Sequence, residues 1–263
     1  MPEGDTLRKL VRLLIPELEG RRLASGRLRD WPEVNLSGRR VTNVHALGKH
    51  LYIEFDDATL LRSHLGMHGS WHRYLSETPW QRPAGQASVV LETDRTCLVC
   101  FNAAQVELLH SGGLRDRQQR ARLGPDLLAG DTAPAEVARR VLEQHTPDRL
   151  LIDLLLDQRV ACGIGNVYKS ELLFLHGLSP QTRLEELDGV ALTAVYGRAA
   201  ELLQRNTGPG ARRTRFTEDG RGGLWVYRRS GRPCLRCGAR IRMEKLGRHL
   251  RSTYWCPACQ AAS

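Results

Sequence analysis

No apolar run in this 263-residue chain reaches the roughly 20 residues that a membrane-spanning helix needs, which excludes an integral helical membrane protein. Nothing before Pro2 has the pattern of a signal peptide, so a soluble intracellular protein is expected. Lysine is scarce: of 39 basic residues only Lys9, Lys49, Lys169 and Lys245 are lysines, and the rest are arginines. Acidic residues number 29, too few to balance them, and the net charge is +10. That surplus points to a polyanionic partner, most simply nucleic acid, and the planar arginine fork suits phosphate. A basic but inert surface, or a GC-rich genome, would give similar counts. No internal repeat or long low-complexity tract is present, and 263 residues suffice for one large domain or two to three small ones.

Apolar Leu7, Leu10, Val11 and Leu14 recur at helical spacing, predicting an N-terminal helix from Thr6 to Leu14 that Pro16 stops. Segments 40–45, 51–55, 59–64, 88–92 and 96–101 read as strands, punctuated by glycine and proline. They predict a β-sandwich or barrel over roughly the first 120 residues, with the helix packed against it. After a Gly- and Pro-bearing linker, 123–134, the period becomes helical over 135–144, 148–156, 167–175 and 184–204. An Arg- and Gly-rich break, 211–223, leads to a cysteine-bearing tail.

Four of the seven cysteines form that tail's pattern: Cys234 and Cys237, then Cys256 and Cys259 after eighteen residues. Two C-x2-C knuckles so spaced predict a closed four-thiolate zinc site, structural because no coordination position stays open. The stretch between them can fold as a hairpin and is strongly basic, fit for phosphates. Cys97 and Cys100 lie in an apolar strand with no second pair nearby and read as packed thiols, as does Cys162. Asp157–Gly165 reads as a turn between helices, with a Gly163-Ile164-Gly165-Asn166 entry to the second. Such a helix N-terminus is an anion site, or else an ordinary joint with Asn166 as a plain cap.

The start, Pro2-Glu3-Gly4-Asp5, supports two readings. It caps the helix that follows. Alternatively, removal of Met1 bares a secondary α-amine at Pro2, neutral and nucleophilic far more often than lysine near pH 7. Such an amine does Schiff-base chemistry, with Glu3 beside it for proton transfer.

Taken with Gly48-Lys49-His50, Ser63-His64-Leu65-Gly66-Met67, the 163–171 turn and the tail through Gln260, this start resembles the formamidopyrimidine-DNA glycosylase/endonuclease VIII family over essentially the whole chain. The resemblance implies an α+β multidomain fold. Its parts are an N-terminal β-sandwich domain with a packed helix (1–122), a helix–two-turns–helix DNA-binding domain (132–210) and a four-cysteine zinc-finger hairpin (224–263). It implies a bifunctional DNA glycosylase/AP lyase of base excision repair, in which Pro2 attacks the sugar C1′ and Glu3 protonates the ring oxygen. Lys49 contacts phosphate beside the lesion and assists. Asn166 and Arg251 grip phosphate and Lys169 adds a contact; Met67, helped by His68, wedges into the gap left by the flipped base. One structural Zn2+, damaged duplex or single-stranded DNA as partner, a monomer, and a cytoplasmic, nucleoid-associated setting follow from the same likeness.

Two departures favour the endonuclease VIII branch and oxidised pyrimidines. Gln105 stands where the formamidopyrimidine branch has an arginine that reads the opposite base, and Glu107 stands near its phenylalanine. The stretch 208–223 is also short for a loop that caps 8-oxoguanine. The alternatives are an 8-oxoguanine/formamidopyrimidine-specific enzyme, a non-catalytic damage binder of the same fold, or a zinc hydrolase, against which the all-cysteine ligand set argues.

Overall fold

The computed structural model describes residues 2–75 and 78–261; the expected loss of Met1 falls on a residue outside that range. Helix α1 runs Gly4–Leu18 and buries Leu7, Leu10, Val11, Leu14 and Leu18, a continuous i, i+3/i+4 stripe. Pro16 does not stop it. The proline is exposed in the last turn, where its missing N–H removes one helical bond, while fully buried Leu18 holds the turn in place.

Among the described residues eight strands follow: β1 Ser25–Leu28, β2 Val41–Leu47, β3 His50–Phe55, β4 Thr59–His64, β5 Ser70–Leu75, β6 Ala87–Glu92, β7 Thr96–Phe101 and β8 Gln105–His110. They make two antiparallel four-stranded sheets, ordered β1-β6-β7-β5 and β2-β3-β4-β8. One core, shared by the α1 stripe and residues of both sheets such as Val44, Leu61, Val89 and Leu98, makes this the expected sandwich with its packed helix. Strand β7 is buried along its whole length. Leu98 and Cys100 enter the central core, while Cys97, Val99 and Phe101 join Tyr74, Val90 and Trp80 in a second cluster. Cys97 and Cys100 are therefore packed thiols in separate clusters, and burial pushes the Cys100 thiol up to about 12.

The sequence patterns did not predict β1, β5, β8 or helix α2 (Leu114–Ala121). Helix α2 has no apolar stripe; its buried Asp116 accepts bonds from Gly112 N (3.1 Å) and Arg120 Nε (2.7 Å) instead. Glu107 of β8 pairs with Arg62 (3.2 Å) and Arg115 (2.6 Å), so the residue read near a missing wedge is committed to holding α2 on its sheet.

By internal contacts, Pro2 and Thr6–Arg122 form one unit; Glu3–Asp5 belong with the other, which begins at Leu123. In that second unit lie α3 Pro134–Gln144, α4 Leu151–Leu156, α5 Asn166–Leu175 and α6 Gly189–Arg205. Helix α4 starts three residues later than expected. Helix α6 starts at Gly189, capped by Asp188 Oδ1 accepting from Ala191 N (2.7 Å), after a separate 3-10 turn at Leu184–Glu186. The four helices enclose one core, containing Val141, Leu155, Tyr168, Leu172, Tyr196 and Leu203. The tail forms the antiparallel hairpin β9 Arg242–Leu246 and β10 Arg251–Trp255, and Phe174 of α5 packs with Val226, Cys234, Ile241 and Cys256. No helix among the described residues is long and apolar enough to cross a membrane.

Candidate active site and nucleic-acid interface

Glu3 is wholly buried. Its carboxylate accepts N–H bonds from Val167 (2.8 Å), Gly165 (3.0 Å) and Tyr168 (3.3 Å), the entry and first turn of α5. The α5 N-terminus is thus an anion site, as its glycines suggested, but the anion is supplied by the chain itself. Glycine at 165 leaves room for the Glu3 carboxylate, since a Cβ there would lie 2.4 Å from Glu3 Cδ. The close approach extends to Gly4, whose N–H donates to Gly163 O (2.9 Å) and whose added Cβ would lie 2.8 Å from Gly163 Cα.

A second carboxylate lies beside it. Asp5, 1% exposed, forms a two-point pair with Arg212: Nε to Oδ2 at 2.8 Å and Nη2 to Oδ1 at 2.5 Å. The same guanidinium reaches Glu3 Oε1 at 3.7 Å and lies over the Tyr168 ring, 5.0 Å from its centroid. Burial pushes the Tyr168 phenol well above its usual range, so it stays neutral. Arg212 escaped the sequence reading because it sits in the Arg-rich break with no periodic or motif signal. Only its pairing with Asp5 marks it.

Helix α5 carries two further buried charges. Glu171, 0% exposed, accepts from Thr214 Oγ1 and from the amides of Trp225 (2.8 Å), Val226 (2.9 Å) and Tyr227 (2.8 Å). Burial pushes its carboxyl above the ordinary value. It ties Thr214, within the short 208–223 segment, to residues 225–227 just beyond it, and sequence patterns did not single it out. Lys169, also 0% exposed, donates to Thr253 Oγ1 (2.7 Å), Asn166 Oδ1 (2.8 Å) and Ser252 O (3.3 Å). Burial pulls its ammonium down to about 7. Its charged end is enclosed between α5 and β10. Asn166, 5% exposed, donates from Nδ2 to Ser252 O (2.8 Å), and Arg251 is exposed at the start of β10.

The cysteines fit a metal. The four Sγ atoms of Cys234, Cys237, Cys256 and Cys259 lie within 4.8 Å of one another, with Cys237–Cys256 at 3.4 Å and Cys234–Cys259 at 4.0 Å. A tetrahedral zinc with bonds of about 2.3 Å wants sulfurs about 3.8 Å apart. The donor set suits one structural Zn2+, four thiolates with no open position.

In the first unit, Lys49 sits half-buried in the two-residue turn joining β2 to β3, where Gly48 takes φ +58°. His50 and His64, paired across β3 and β4, have rings 5.0 Å apart. Burial and the nearby Arg62 charge hold His50 down to about 3, and burial and Lys49 lower His64. Both stay neutral at physiological pH. Met67, 58% exposed, and exposed His68 form the tip of a turn closed by Gly69 N donating to Leu65 O (2.9 Å). A Cβ at Gly66 would meet Ala104 Cβ at 2.6 Å, and one at Gly69 would meet Leu65 O at 2.4 Å, so both glycines are needed. The tip borders an open depression of about 790 Å³ edged by Arg29, Arg82 and Asn102.

A two-sheet sandwich with a packed helix, a four-helix core and a four-cysteine hairpin make up the described residues, and the comparisons place this set of modules among DNA-repair glycosylases. The formamidopyrimidine-DNA glycosylase N-terminal domain matches residues 1–105, the formamidopyrimidine-DNA glycosylase H2TH domain residues 123–217, and the zinc finger found in FPG and IleRS residues 231–262. A Streptomyces coelicolor protein named probable endonuclease 8 2 is 39% identical, over 99% of this chain and 94% of its own. The Mycolicibacterium smegmatis protein named DNA-(apurinic or apyrimidinic site) lyase Nei2 is also 39% identical, over 100% of both. The solved Lactococcus lactis formamidopyrimidine DNA glycosylase bound to AP-site DNA superposes with TM-score 0.82 at 21% identity, over 99% of this chain and 100% of that one, a likeness of fold. The chain belongs to the formamidopyrimidine-DNA glycosylase/endonuclease VIII family.

Proposed function

We propose that this protein is a bifunctional DNA glycosylase and AP lyase that removes oxidised bases from damaged DNA in base excision repair. The observation that carries the reading is Glu3. A carboxylate one residue from Pro2 is withdrawn from water and held by three amides, an arrangement that fixes an acid rather than merely capping α1. With Met1 removed, the Pro2 nitrogen lone pair attacks C1′, and the C1′–base bond breaks with its electrons leaving on the base, which takes a proton from water. The Glu3 carboxylate accepts the N–H proton of the new C1′ ammonium. Glu3 gives a proton to O4′ as the C1′–O4′ bond opens, which yields the iminium. Loss of a C2′ proton then expels the 3′ phosphate (β), and a second elimination expels the 5′ phosphate (δ). Lys49 serves as a phosphate contact beside the reacting sugar, and Met67 with His68 as the wedge that fills the gap left by the flipped nucleotide. Asn166 and Arg251 bind backbone phosphates. The zinc holds the hairpin in shape and takes part in no step.

Oxidised pyrimidines are the substrates we favour. Relatives at 30–39% identity carry endonuclease 8 names, and Gln105 and Glu107 replace the opposite-base wedge of the sister branch. The relatives are bacterial, and we place the protein with DNA inside the cell, as a monomer. The test is borohydride trapping on duplexes bearing an abasic site, an oxidised pyrimidine or 8-oxoguanine, followed by peptide mapping. The adduct should map to the Pro2 nitrogen and form best with the pyrimidine lesion and the abasic site. An adduct on a lysine, or none, overturns the mechanism; preference for 8-oxoguanine overturns the substrate assignment alone.

A further inference from the structure

Lys169 carries a fully buried charge that the proposed chemistry does not use, and every proton of its ammonium has an acceptor: Thr253 Oγ1, Asn166 Oδ1 and Ser252 O. An ammonium only donates, whereas a carboxamide donates at one end and accepts at the other. The atom Asn166 turns towards Lys169 must therefore be its oxygen, which sends the NH2 end onto Ser252 O at 2.8 Å. That group has two protons, and Ser252 takes one. With an apolar side chain at 169 the oxygen end would lose its donor, and the bond to Ser252 O alone would be left to hold the carboxamide, so the direction of its second N–H would be less firmly fixed. Ser252 and Thr253 immediately follow Arg251 on β10, so the same ammonium also ties the arginine's strand to α5.

We propose that Lys169 is a positioning residue for phosphate recognition, one that orients the Asn166 carboxamide and fixes the Arg251 strand against α5 without touching DNA. The inference rests on the reading of Asn166 and Arg251 as phosphate contacts. The charges facing Lys169 are Glu3 and Asp153, which favour its ionised form, and Arg251, which opposes it. Desolvation outweighs the two acids, a cost that a methionine of similar length would avoid.

The experiment measures the affinity of zinc-loaded full-length protein for a labelled duplex containing a tetrahydrofuran abasic analogue, between about 50 and 200 mM salt. Lys169→Met should weaken binding about tenfold, the scale of one well-placed hydrogen bond, with the slope of log affinity against log salt unchanged. Combined with Asn166→Ala it should add little to Asn166→Ala alone, because both act through one group. On a preformed abasic site its loss should fall in KM rather than kcat. A slope shallower by about 0.9 would mean that Lys169 itself contacts phosphate, and overturns the proposal. Unchanged affinity, or full additivity with Asn166→Ala, overturns it too. If Asn166→Ala alone binds normally, the underlying reading of Asn166 fails, an outcome distinct from failure at Lys169. Should Lys169→Met not fold, Thr253→Val decides on the same terms: removing one acceptor should weaken binding in the same direction at constant slope, and no change sinks the proposal.

Discussion

Replacing Gly165 with alanine tests the placement of Glu3 without altering any ionisable group. Gly165 has φ −128° and ψ −161°, extended backbone that alanine adopts freely, so the substitution acts through space alone. The new Cβ would stand 2.4 Å from Glu3 Cδ, 2.6 Å from Cγ and 2.7 Å from Oε1, where ordinary contact begins near 3.4 Å. The carboxylate must retreat by about 1 Å, the difference between 3.4 and 2.4. That displacement breaks or lengthens the bonds from Gly165, Val167 and Tyr168, each worth about 1.5–3 kcal/mol as a bond to a charged group. Partial relaxation should keep the folding loss near the overpacking range of about 1–3 kcal/mol. Catalysis is less forgiving: a misplacement of about 1 Å costs on the order of 10²-fold, and general acid–base help is worth about 10² to 10⁴. Single-turnover excision by Gly165→Ala should therefore fall about 10²-fold or more, with affinity for the abasic-analogue duplex much less affected. Excision within about threefold of wild type, in protein shown by its melting curve to be folded, would refute the assignment of Glu3 as the acid.

Cys256→Ser should release zinc and unfold the hairpin, weakening DNA binding through loss of the Arg251 strand; retention of one zinc per chain in mass spectrometry would mean the ligands are misassigned. The Lys169 ammonium, 10.5 in an unfolded chain and about 7 here, binds more protons unfolded than folded between those values. Its contribution to stability should thus rise with pH across about 7 to 10, being most unfavourable below 7. Melting temperatures of wild type relative to Lys169→Met should climb over that window, and a flat difference would contradict the burial.

The chain's own order of residues carried the architecture because its signals are local. Leu7, Leu10, Val11 and Leu14 repeat at the period of a helix, and cysteines two residues apart form a chelate wherever they fold. Patterns with weaker periodicity were lost: β1 is four residues long, and α2 is held by Asp116 rather than by an apolar stripe. Pro16 misled because a proline in a last exposed turn costs a single bond, which the burial of Leu18 outweighs.

The candidate site divides the same way. The zinc cysteines are legible because their chemistry is written in residue type and short spacing, whereas Pro2 and Glu3 read equally as a helix cap and are singled out only by the family resemblance. What only the folded chain decided are pairings across more than 80 residues: Glu3 with Gly165, Asp5 with Arg212, Lys169 with Thr253. Desolvation makes such contacts strong and specific, and it exists only once the core has closed. That is why Lys169, which reads as one more cation on a basic chain, is instead a buried strut beneath Asn166.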